Sequence, residues 1–110
     1  MQNQALKFEV ITAKKVTDKL VDPTAAGYSL LIDGNQYYLL KLFLFEKYFF
    51  IVKNQSGQQD YTVYSSKFPN EAKFLNPVGS ARLRPELKGH LEIHIPLIGP
   101  SLFMSLYPSK

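Results

Sequence analysis

Residues 37–53, YYLLKLFLFEKYFFIVK, decide the fold. Seven of these seventeen residues are aromatic and four are charged. Dense aromatic and β-branched runs fit the half-buried, pleated surface of a sheet. The turn signal Asp33-Gly34-Asn35 just before the run points to a hairpin. A single helix is disfavoured, because the apolar residues do not gather on one helical face and Phe, Tyr and Ile are indifferent helix formers. A membrane span is disfavoured too: Lys41, Glu46 and Lys47 lie inside the stretch, and a charge at the centre of a span costs about 2.5–3.5 kcal/mol. The run is too long for one ordinary strand, so strands are expected over 36–45 and 48–53, with a break near Glu46-Lys47.

Working outward, residues 6–12 (LKFEVIT) alternate, with Leu6, Phe8, Val10 and Thr12 on one face, which predicts a half-buried strand. Residues 14–27, rich in lysine and carrying Pro23, read as a long basic loop, followed by a short strand over 28–32. Beyond the aromatic run, 54–57 carries turn chemistry, 61–64 is β-prone, and 68–80 reads as a loop holding at most one helical turn. Residues 81–84 resume strand character, Lys88-Gly89 turns, and 90–95 alternates with Leu91, Ile93 and Ile95 inward. Three prolines confine the final segment, SLFMSLY, to an edge strand or a packed tail. Seven to eight short strands with little helix predict an all-β fold, a small antiparallel barrel or sandwich forming a single domain over 1–110.

The 110 residues contain no cysteine, which excludes disulfides, thiolate metal sites and a cysteine nucleophile. No secretion signal is visible at the start, so a cytoplasmic location is expected. Catalytic signatures are missing: there is no G-x-S-x-G elbow, phosphate-binding glycine loop, H-E-x-x-H or G-x-G-x-x-G. His90, Glu92 and His94 share a strand face, but two histidines four residues apart on a strand lie about 13 Å apart. They read as the polar face of an amphipathic strand rather than as a metal site. The expectation is therefore a non-enzymatic protein with no cofactor and no metal.

The net charge is +4 and it is unevenly placed. Four lysines oppose Glu9 and Asp18 in residues 1–20, and five basic groups oppose Glu71 and Glu86 in residues 67–90. A basic balance favours anionic partners. Tyrosines and phenylalanines interleaved with lysine and arginine are what single-strand binding needs, because rings stack on bases while cations follow the phosphates. Arg82 and Arg84 are expected on one strand face, with Leu83 toward the core. Phe43, Phe45, Phe49 and Phe50 are expected to be mainly core.

In their order, these features resemble the single-stranded DNA-binding proteins of filamentous phages, small OB-fold-like barrels that act as dimers. The likeness is carried by the opening LKFEV, a basic loop, Gly27-Tyr28-Ser29, an acidic-Gly hairpin leading to tyrosine, Tyr61-Thr62-Val63 with Ser65-Ser66, Phe74, and Arg82-Leu83-Arg84 before a proline. It spans residues 6–87. The aromatic run is longer than the family's central hairpin, and residues 88–110 are additional. The interleaved pattern itself offers Lys14 and Lys15 beside Lys19, Arg82 and Arg84 as candidate phosphate contacts. The resemblance implies an OB-fold-like barrel, Tyr28, Tyr37 and Phe74 as base-stacking residues, Lys19, Arg82 and Arg84 as phosphate contacts, and a homodimer. The leading expectation is thus single-stranded nucleic-acid binding without chemistry. Two rivals are a protein-interaction module using residues 37–53 through an apolar patch or an edge strand, and a carbohydrate binder whose tyrosines stack on sugars.

Overall fold

The computed structural model describes residues 6–17, 19–32, 37–54, 60–66, 76–87 and 89–106. Eight antiparallel strands close into a barrel in which each strand pairs with its neighbours in the chain and β8 returns to β1. They are β1 (Lys7–Val16), β2 (Lys19–Leu31), β3 (Tyr37–Leu42), β4 (Tyr48–Lys53), β5 (Asp60–Ser66), β6 (Pro77–Arg84), β7 (His90–His94) and β8 (Leu102–Ser105), with a 3-10 turn at Pro85–Leu87. The all-β small barrel expected from the sequence is the fold observed. Among the described residues no helix is long and apolar enough to cross a membrane.

Alternation supplies the core. Phe8, Val10, Leu40, Leu42, Phe49, Ile51, Val63, Ala81, Leu91, Ile93, Ile95, Leu102 and Met104 point inward and form one buried cluster. Ser29 is the one buried polar residue among the described residues, and its Oγ donates to the Met104 sulfur at 2.7 Å. The lumen is packed with side chains, so the barrel's working surfaces are its outer wall and its ends.

β2 and β6 bend the sheet in the same way. Each takes an extra residue, Ala26 opposite Val10/Ile11 and Val78 opposite Val63/Tyr64, and each follows it with a glycine. A Cβ on Gly27 would come within 2.2 Å of the Lys41 carbonyl oxygen, and one on Gly79 within 2.2 Å of that of His94. Bulge plus glycine lets the backbones close up and the sheet coil.

Several expectations are corrected. The basic loop over 14–27 is instead the far part of a β1–β2 ribbon, paired out to Val16 and Lys19 and turning at Thr17 with φ 60°. Pro23 is tolerated because the ribbon is bulged there, and Asp22 takes φ 54°. Strand β6 begins at Pro77 rather than at residue 81. The closing segment is no edge strand: Leu102–Ser105 pairs with both β1 and β7 and seals the barrel. The first strand of the aromatic run stops at Leu42, and Phe43 is 59% exposed rather than core. The turn at 33–35 and the loop residues 67–75 lie outside the described residues.

Candidate functional site

Strand pairing sets the outer wall. Register across β2, β3 and β4 aligns Tyr28 with Lys41 and Lys41 with Tyr48, all three facing outward and half-buried. The ammonium of Lys7, diagonal to Tyr28 on β1, sits 4.9 Å from the Tyr28 ring centre. Lys41 sits 5.4 Å from the Tyr48 ring centre, and its ammonium also donates to the Leu42 and Phe45 carbonyls. Ring and cation therefore alternate on the outer wall of β1–β4, with Lys7 over one ring and Lys41 over another ring and held by two backbone carbonyls. Tyr28 leans on Phe43 with ring centres 6.5 Å apart. The period-two pattern carried the signal for Lys7, Lys41 and Tyr48, but register between strands, which brings them together, is absent from a single sequence.

The other expected residues are distributed around the molecule. Tyr37 lies on the same wall nearer the opposite end, edge-on to buried Phe50 at 5.4 Å, so its ring is partly used in packing. Arg82 and Arg84 lie outward on β6, with Leu83 packed against the core as expected. β6 stands four strands from β2, on the far side of an eight-stranded ring. Lys14, Lys15 and Lys19 are exposed on the ribbon. Phe74 lies outside the described residues. The structure thus divides the expected set between two walls instead of assembling one groove.

The far wall is a polar cleft of about 360 Å³ lined by Thr62, Ser80, Arg82, Arg84, Glu92 and His94, among others. Its charges are largely paired. Arg84 Nε donates to Glu92 at 2.7 Å, with both side chains half-buried. Burial pushes the Glu92 carboxyl up, yet hydrogen bonds from Arg84 and Ser101 and the charges of Arg84 and Lys15 outweigh it, and the group stays below the ordinary carboxylate range. Lys15 reaches Glu86 at 3.3 Å, and the β2 arm of the ribbon approaches β8. Phe103 is 2% exposed although its register partners Ile11 and Glu92 are outward. The Glu86 carboxyl is lowered by its own backbone amide and by Lys15. His90 Nδ1 contacts the Leu87 carbonyl at 2.7 Å, and no group of three potential metal ligands occurs among the described residues.

Much of the aromatic run is buried. Phe49 is 5% exposed and Phe50 fully buried, and β3 and β4 are each paired on both sides, so the aromatic run offers no edge for β-augmentation. Its exposed part is instead the β3–β4 loop. No protein-family model, curated protein or solved structure matches this chain, so the likeness to the filamentous-phage proteins rests on its short motifs alone.

Proposed function

We propose that this chain is a non-catalytic binding protein that holds single-stranded nucleic acid on the outer wall of β2–β4. The observation that carries the reading is the in-register row Tyr28, Lys41, Tyr48, with Lys7 over the first ring. Half-exposed rings spaced by one strand give sequence-tolerant stacking, and the ammonium groups beside them meet the phosphates. In this reading Tyr28 and Tyr48 stack on bases, and Lys7 and Lys41 neutralise charge. On the other wall Arg84 is paired with Glu92, and Lys15 of the ribbon with Glu86.

The test is fluorescence anisotropy with labelled single-stranded and duplex oligonucleotides at low and physiological salt. Preference for the single strand is expected, with affinity falling as salt rises because each phosphate contact releases counterions. Absence of binding at low salt, or binding indifferent to salt, overturns the proposal.

A further inference from the structure

Tyr28 has a neighbour that the row Tyr28, Lys41, Tyr48 does not include. Phe43 follows directly on β3, and because Leu42 is buried in the core, alternation carries Phe43 to the outer wall with Lys41. The Phe43 ring centre lies 6.5 Å from that of Tyr28, with the two planes tilted by 52°. Its backbone is pinned from two sides. The Phe43 amide donates to the Ala26 carbonyl at 2.9 Å, which continues the β2–β3 ladder one residue past the strand. The Lys41 ammonium, which has three N–H donors, spends two of them on the Leu42 and Phe45 carbonyls that bracket Phe43 in the chain. The ring itself is 59% exposed and so contributes little to the core. A large aromatic side chain is thus held at a fixed place on the candidate wall with room to turn.

We propose that Tyr28 and Phe43 are the two jaws of a clamp that closes on one base of the single strand. The proposal rests on the nucleic-acid reading of this wall and adds to it a third ring and a defined place for one nucleotide. Bases stack about 3.4 Å apart, so two rings with one base between them stand about 7 Å apart. The 6.5 Å separation of Tyr28 and Phe43 is close to that span, and turning Phe43 through the tilt about its side-chain bonds brings the two rings parallel. A slot one ring thick selects a flat group over a puckered sugar or a branched aliphatic side chain. Lys7 reaches Tyr28 from β1, whereas Phe43 reaches it from the end of β3, on the opposite side of β2. A base entering on the Phe43 side therefore leaves the Lys7 ammonium beside the adjoining phosphate. Tyr48 stands two strand spacings from Tyr28, about 10 Å, and serves a different base. With the backbone of the Phe43 jaw fixed beforehand, closure costs the freedom of one side chain rather than of a loop. Lys41 acts on the clamp through the loop it pins, as a positioning residue.

Anisotropy titrations of a labelled single-stranded oligonucleotide against four proteins test the clamp: wild type, Phe43→Ala, Phe43→Leu and Phe43→Trp. Phe43→Ala is expected to weaken binding about fivefold or more with an unchanged unfolding midpoint. Phe43→Leu is expected to bind as weakly as Phe43→Ala, because leucine is apolar but not flat. Since both jaws hold the same base, Phe43→Ala should cost much less in a Tyr28→Ala protein than in the wild type. The chain contains no tryptophan, so Phe43→Trp supplies a single indole reporter. Its emission is expected to change in step with the anisotropy, and to stay unmoved when the added strand carries abasic sugars in place of its nucleotides. A wild type that binds no oligonucleotide overturns the reading of the wall and the clamp together. A wild type that binds, with Phe43→Ala or Phe43→Leu binding equally well or with an indole that does not respond, overturns the clamp alone.

Discussion

β2–β3 and β6–β7 are built alike and finished differently. Both carry a one-residue bulge followed by a glycine pressed against the next strand's carbonyl, at Gly27 on Lys41 and at Gly79 on His94. The backbone solution is therefore shared by the two sides of the ring. On the outside of the first side Lys7 stands over Tyr28 and Lys41 over Tyr48, whereas the second presents Arg84 against Glu92. Cation–π attraction does not itself neutralise an ammonium, whereas an ion pair with a carboxylate does. The backbone geometry therefore does not distinguish the two walls, and the partners of their cations do.

The largest expected effect probes what the two walls share. Gly27→Ala and Gly79→Ala each drive a methyl group into a backbone oxygen, and each is expected to cost about 3 kcal/mol, or roughly 15 °C in unfolding midpoint. Equal losses in thermal melts support the equivalence of the two bends; a mild effect at one of them breaks it.

The next effect probes how the walls differ. Tyr28→Ala and Tyr48→Ala are each expected to weaken single-strand binding by about 1–3 kcal/mol. Arg82→Gln should change it less than twofold. If the arginine variant is the more damaging in anisotropy titrations, the ligand belongs on the other wall.

Smaller again is the ion pair itself. Arg84–Glu92 is expected to show a coupling of about 0.5–1 kcal/mol in a double-mutant cycle with Arg84→Met and Glu92→Gln. Both Glu92 and Glu86 have lowered folded-state values, so the stability they confer is present above their ordinary value near 4.5 and is lost as the pH falls below it. Denaturant midpoints measured between pH 6 and 3 should decline for the wild type and decline less for the Glu92→Gln protein.

At the alkaline side the sign reverses. Burial raises the Tyr38 hydroxyl, with Tyr61 adding to it, and burial raises Tyr61 as well, so the folded chain keeps protons that the unfolded chain releases. Stability should fall as the pH rises past 10, and Tyr38→Phe should flatten that fall.

Much of the barrel was legible in the sequence, and the reasons are local. Alternation in LKFEVIT and HLEIHI marked Phe8, Val10, Leu91, Ile93 and Ile95 as inward, and all five are buried. The strand over 48–53 was bounded correctly because charge and turn residues flank it. The ribbon was misread because lysines and a proline look like a loop when tertiary support is unseen, and here that support includes Lys15 on Glu86. SLFMSLY was misread because its role in closing the ring depends on where β1 and β7 stand, which periodicity does not encode. The candidate site was legible as a residue class, tyrosine among lysines. It was not legible as an address: Tyr28 was expected, whereas Lys7, Lys41 and Tyr48 join it only through register, and Arg82 and Arg84 are carried to the far side by the four strands between.

The most direct test of the division between the walls is ultraviolet cross-linking of the protein to a single-stranded oligonucleotide, followed by peptide mass spectrometry. Cross-links are expected at Tyr28 and Tyr48. Cross-links confined to β5–β7, or none under conditions where a known single-strand binder reacts, would contradict the account.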